Sequence, residues 1–193
     1  MKDVYVILFP NFTALDVFGP VEVLSGTGEY TIRFMSLEGG IVENSQGIRI
    51  ITEPLSVIKE GNIALVPGGF GTRSEVDHMQ FISALKSVVE SAENVLCVCT
   101  GSALVAKTGA LDGRRATSNK TAFEWVRSCG PDVTWVREAR WVHDGKFYTS
   151  AGVSAGTDMA LGFVKDMLGD DRADAVCRRM EYHWNSDPDT DIF

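Results

Sequence analysis

Two side chains in this sequence are of types that could do covalent chemistry together. Cys99 ends the apolar run of "VLCVCTGSALVAKTG" (95–109), and Asp16 lies in "FPNFTALDVFGPVEVL" (9–24). If a strand ends at Cys99 and a helix begins one or two residues later, the thiol meets free N–H groups and the positive end of a helix dipole, where a thiolate is favoured. Gly101 and Ser102 suit such a turn, because small residues let the backbone fold sharply and leave the preceding side chain exposed, as in a nucleophile elbow. An unperturbed thiol is only about 3% ionised at neutral pH, and a helix terminus contributes at most about 2 kcal/mol. The site therefore needs a further donor.

Asp16 is the candidate, since a protonated carboxyl beside the sulfur can donate to a thiolate. Thr13-x-x-Asp16 fits a capping box equally well, an arrangement with no catalytic content, and spacing does not separate the two readings. Glu22, further along the same segment, is the rival carboxylate. The three histidines, His78, His143 and His183, are all distant from Cys99 in sequence. His143 is expected in a hairpin turn and His183 beside the acidic tail, both at the surface. In "PGGFG" (67–71), the backbone at Gly69 and Phe70 can turn N–H groups toward a developing negative charge. Cys97, Cys129 and Cys177 read as small buried hydrophobes.

These residues need a scaffold, and the rest of the chain describes one. "VYVILF", "NIALVPGG" and "NVLCVC" are short continuous apolar runs ending at Pro/Gly or at a helix start, as strands buried on both faces do. Helical patterns cover about 13–25, 77–92, 101–108, 119–128, 155–168 and 171–184, so strands and helices alternate in a doubly wound, mostly parallel α/β sandwich of the flavodoxin-like kind. "YTIRFMSL" and "IRIITEP" are further strands, and Asp144-Gly145 marks a hairpin, making the sheet mixed. Ligands in such folds bind beyond the carboxyl ends of the parallel strands, the end to which "FPNFTALD", "PGGFG" and "CTGS" all belong.

The 193 residues fit one domain, 1–193, with a core sufficient without disulfides. Four dispersed cysteines lack zinc-site spacing and fit a reduced, cytoplasmic setting, and no metal or other cofactor is implied. The opening "MKDVYVILFP" is too short and too quickly closed by proline for a signal peptide. No apolar run approaches the roughly 20 residues of a membrane span, and a net charge of −8 disfavours nucleic acid. The tail "EYHWNSDPDTDIF" is expected to be a solvated acidic end, with Trp184 and Phe193 available to a partner subunit.

Together, "LFPNFTALDVFGPVEVL", "ALVPGGFGTR", "CVCTGSALVAKTGALDGRRATSN" and "SAGVSAGTDMAL" resemble the ThiJ/PfpI superfamily, with its class I glutamine amidotransferase-like fold. Within it, the "LD-x-x-GP" segment and the "C-T-G-S" elbow are most similar to the isonitrile hydratase group and to the amidotransferase-like domains of AraC-type regulators. The resemblance implies that Cys99 is the nucleophile, Asp16 the acid that contacts it, and the backbone N–H groups at Gly69 and Thr100 the anion site, with Phe70 and Gly101 beside them. It also implies a homodimer. Thr100 stands where protease-like members carry histidine, which removes the general base that peptidase or amidase chemistry needs, and Asn119 stands where isonitrile hydratases carry histidine.

The implied function is a cofactor-free, cysteine-dependent hydratase or lyase of the isonitrile hydratase type, acting on a small electrophilic carbon. Its rivals are a glyoxalase- or deglycase-like enzyme for reactive dicarbonyls and a non-catalytic redox or small-molecule sensor.

Overall fold

The computed structural model describes residues 1–57 and 61–193. From the start of the chain, β1 (Lys2–Ile7) leads into α1 (Ala14–Gly26), followed by β2 (Tyr30–Ser36), β3 (Gly40–Glu43), β4 (Arg49–Pro54) and β5 (Ile63–Val66). Next come α2 (Thr72–Glu75), α3 (Met79–Ser91), β6 (Asn94–Val98) and α4 (Gly101–Lys107). The remainder is β7 (Arg115–Ala116), α5 (Phe123–Cys129), β8 (Thr134–Trp135), the hairpin β9 (Trp141–Asp144) and β10 (Phe147–Ser150), then α6 (Ala155–Leu168) and α7 (Asp170–Met180).

Eight strands form one sheet in the order β3-β4-β2-β1-β5-β6-β10-β9. The neighbours from β4 through β10 pair in parallel, while β3 and β9 are antiparallel edge strands. The sheet is mixed, as expected, and the architecture is flavodoxin-like. Every residue of β5 and β6 is buried, which is why these segments read as unbroken apolar runs rather than alternating ones. From β1 the chain steps to β2 on one side and later returns to β5 on the other. That reversal makes a topological switch point at the carboxyl ends of β1 and β5, the place where α/β sheets bind ligands.

Two loops at this end are zipped together. Phe12 and Gly69 form an isolated antiparallel bridge, the Thr13 N–H donates to the Gly68 carbonyl at 2.9 Å, and the Gly71 N–H donates to the Asn11 carbonyl at 3.3 Å. Close approach requires glycine here: a Cβ on Gly71 would fall 1.9 Å from the Pro10 carbonyl oxygen, and Gly69 has φ +139°. The bridge fixes the start of α1 against the strand end of β5.

One expectation is corrected and another refined. His143 lies in β9 rather than in the hairpin turn, with its ring stacked on Tyr148 at 4.0 Å. The acidic tail is exposed along most of its length, Glu181, Asp187 and Asp189 included, but it is anchored to the body at several points. Asp158 of α6 accepts hydrogen bonds from the Tyr182 hydroxyl (3.1 Å) and the Asn185 N–H (3.2 Å), and its carbonyl accepts the Trp184 indole N–H (3.1 Å). Further on, the Pro188 carbonyl accepts the N–H groups of Arg140 and Trp141, and the Asp191 N–H donates to Glu138. Buried polar groups on the sheet edge thus find their partners in a segment whose composition alone suggested solvent.

Candidate active site

Cys99 follows the last residue of β6, and α4 begins two residues later. Its φ is +56°, a left-handed conformation that a side chain rarely adopts, so the elbow inferred from the small residues is present and strained. The strain is held from several sides. The hydroxyls of Ser102 and Ser118 both donate to the Cys99 carbonyl, at 2.9 and 2.8 Å, and the Cys99 N–H donates to the Ser150 carbonyl at 3.2 Å. Gly101 permits the turn because a Cβ there would meet the Val66 carbonyl oxygen at 2.3 Å.

Asp16, in the first turn of α1, is completely buried and faces the Cys99 thiol. Its Oδ2 accepts the Gly68 N–H at 3.0 Å, while Oδ1 has no well-formed hydrogen-bond partner among the described residues. Thr13 makes no side-chain cap, and its own N–H is given to Gly68, so the capping-box reading of Thr13-x-x-Asp16 does not describe the fold. Pro20, four residues on, has no N–H with which to bond the Asp16 carbonyl. Glu22 is exposed and pairs with Arg179 at 2.7 Å, which removes it as a rival.

Burial raises the Asp16 carboxyl to about 7, with the Gly68 N–H and the thiol contact pulling the other way. Burial also pushes the Cys99 thiol up, the facing carboxylate adds to this, and the N–H and hydroxyl of Thr100 oppose it. Cys99 is 6% exposed, so the side chain that the small residues were expected to leave exposed is buried. Desolvation outweighs the Thr100 donors. Burial thus pushes both groups toward their neutral forms, and their contact places them to exchange one proton.

The other expected site residues lie close by in different roles. The Thr100 hydroxyl accepts the Gly69 N–H at 3.1 Å and the Thr72 hydroxyl at 3.2 Å, so the Gly69 N–H is engaged internally rather than free for an anion. The Thr100 N–H is directed at the sulfur. Phe70 projects outward, 81% exposed, beyond the buried pair. His78 is bonded to Glu75, His143 to Gly145 and His183 is exposed. No group of three or more metal-ligating side chains occurs among the described residues.

Sequence reasoning missed Ser118 and Thr72 as supports and took Gly68 only as flexible backbone. A Cβ on Gly68 would lie 2.7 Å from the Thr100 nitrogen and 2.8 Å from Asp16 Oδ2, so the absence of a side chain there is what lets the acid reach its donor. The "TSN" run held the only available signal for Ser118.

Comparison with known proteins finds a family and relatives for the chain. The profile of the DJ-1/PfpI family matches residues 2–166. The chain is 28% identical over 179 residues to isonitrile hydratase of Pseudomonas putida, covering 91% of this chain and 76% of that protein. It is 27% identical over 174 residues to the HTH-type transcriptional regulator CdhR of Pseudomonas aeruginosa, of which it spans 51%. Among solved structures, a ThiJ/PfpI family protein from Pseudomonas syringae superposes with TM-score 0.85 at 24% identity, covering 97% of this chain and 76% of that one. Drosophila melanogaster DJ-1beta gives TM-score 0.79 at 21% identity, covering 95% and 99%.

Proposed function

We propose, from the premise that the chain belongs to the DJ-1/PfpI family, that it is a cofactor-free cysteine hydratase acting on isonitriles or similarly small electrophilic carbons. The observation that carries the reading is the buried Asp16–Cys99 pair at a strained elbow, with the carboxyl raised to about 7. A base poised near the working pH is the condition for efficient proton transfer. As sulfur attacks the terminal carbon of R–N≡C, an S–C bond forms, the Asp16 carboxylate takes the thiol proton, and that proton is returned to the same carbon to give a thioimidate. Water then adds across the C=N bond, and collapse of the adduct breaks the S–C bond. The product is R–NH–CHO, and the thiol recovers its proton. The Thr100 N–H at the sulfur favours the thiolate as it departs.

The likeness to CdhR supports a second reading, in which the same pocket senses a ligand without turnover. Purified protein is to be given a panel of isonitriles and, separately, methylglyoxal. Formamide release that is lost in Cys99→Ser supports the hydratase, and turnover of methylglyoxal alone replaces it with the dicarbonyl reading. Stoichiometric modification of Cys99 without product favours the sensor. The proposal extends to a homodimer in a reduced cytoplasmic setting, which a sedimentation experiment tests for its first part.

A further inference from the structure

A cavity of about 330 Å³, at the small end of the range for small-molecule sites, is lined by chain neighbours of Asp16 and of the residues that hold Cys99. Four of its lining residues, Leu15, Asn119, Lys120 and Gly152, lie within two residues of Asp16 or of Ser118 and Ser150, which hold the Cys99 main chain. Leu15 precedes Asp16, Asn119 follows Ser118, and Gly152 lies two residues after Ser150. Asp191 and Phe193, at the far end of the tail, are also in the lining.

Two cations, Lys120 and Arg140, also line this cavity, and both are matched. Arg140 gives its Nε and Nη2 to Asp158 and its Nη1 to Asp191 at 3.4 Å, while Lys120 lies 3.7 Å from Asp191. Two positive groups thus face two negative ones, all nearly buried. The Asn119 Oδ1 accepts the Ala122 N–H at 3.0 Å, and its Nδ2, which points toward Gly152, has no acceptor among the described residues.

Building on the cysteine-dependent reading above, we propose that the segment 185–193 forms a wall of the reaction pocket and that Asp191 makes that pocket electrically neutral, selecting uncharged substrates with an apolar substituent. Leu15 and Phe193 receive the substituent, and Asn119 Nδ2 donates to a neutral acceptor on it. Without Asp191 the pocket would carry an uncompensated positive charge and favour carboxylates.

The test reads the pocket through the sulfur and does not depend on turnover. Alkylation of Cys99 by iodoacetamide and by iodoacetate is followed by peptide-resolved mass spectrometry, each rate normalised to the unfolded chain. Wild type is expected to prefer the neutral reagent. Asp191→Asn should raise the iodoacetate-to-iodoacetamide ratio roughly fivefold or more, the effect of one unscreened charge nearby, and Lys120→Met should lower it. Phe193→Ala should change the rate with N-hexyl iodoacetamide severalfold and leave iodoacetamide unaffected. Unchanged ratios in Asp191→Asn and Lys120→Met, with near-ultraviolet spectra matching wild type, overturn the proposal, and Lys120→Met alone decides if Asp191→Asn does not fold. A Cys99 that no reagent reaches overturns it too. Absence of formamide from any isonitrile, with the ratios moving as stated, would remove the hydratase and leave the pocket; normal turnover with unmoved ratios would do the reverse.

Discussion

Asp16 holds its proton up to about pH 7 in the folded chain, whereas an unfolded aspartate releases it near 4. The folded state therefore binds more protons between these values, and stability must fall as pH rises from about 4 to 7. The upper limit of this loss is on the order of 4 kcal/mol. Asp16→Asn keeps an acceptor for the Gly68 N–H without the buried charge, so its melting temperature should exceed wild type at pH 8 and converge with it at pH 4, while turnover disappears. A variant less stable than wild type at pH 8 would contradict the buried carboxylate. If Asp16 takes the thiol proton, alkylation of Cys99 should rise through about pH 7 and level off. Cys129 and Cys177 are more exposed, with thiols raised by burial, so their rates should climb past pH 9 with no plateau near 7. Labelling all three in one sample across pH 5 to 10 gives the comparison, and loss of the Cys99 inflection in Asp16→Asn completes it.

At the scale of the element, the elbow is a joint between β6 and α4 that other segments keep from relaxing. Ser118→Ala removes one of the two hydroxyls on the Cys99 carbonyl and should cost about 1 kcal/mol in urea unfolding, with a matching fall in the Cys99 alkylation rate. A change in stability without a change in reactivity would mean that Ser118 supports the loop but not the nucleophile's geometry. Gly101→Ala is a harsher change. A methyl group 2.3 Å from the Val66 carbonyl oxygen forces β5 and α4 apart, so the variant should lose several kcal/mol, roughly 3 or more, or fail to accumulate as folded protein.

For the whole molecule, the docking of the tail on Asp158 ties the last residues to the sheet edge and to the site. Asp158→Asn leaves buried Arg140 with only Asp191, already shared with Lys120, as its counter-charge, and loss of a buried partner typically costs about 3 kcal/mol or more. Segment 181–193 should then become the first site of limited proteolysis, whereas in wild type the cleavage there should be no faster than elsewhere. Equal proteolysis of both proteins would show that the Asp158 carboxylate charge is not what holds the tail, since the Trp184 bond to the Asp158 main-chain carbonyl is present in both.

The sequence by itself determined the central strands, because strands buried on both faces must be apolar throughout, and it marked the elbow, because the close approach of β5 requires glycine at position 101. It also singled out Asp16, though as an acid with two equally good uses. Tertiary structure decided between them: the bridge between Phe12 and Gly69 brings a residue 52 positions distant, Gly68, to the carboxyl, and burial rather than helix capping sets its proton affinity. The same applies to the sulfur, since local spacing supplies the helix terminus but desolvation comes from every segment packed around it, and desolvation is the larger effect. The tail was illegible for a related reason. Its acids look solvated one at a time, and only the fold sets Asp191 beside Lys120 and Arg140, where charge pairing across the chain replaces water.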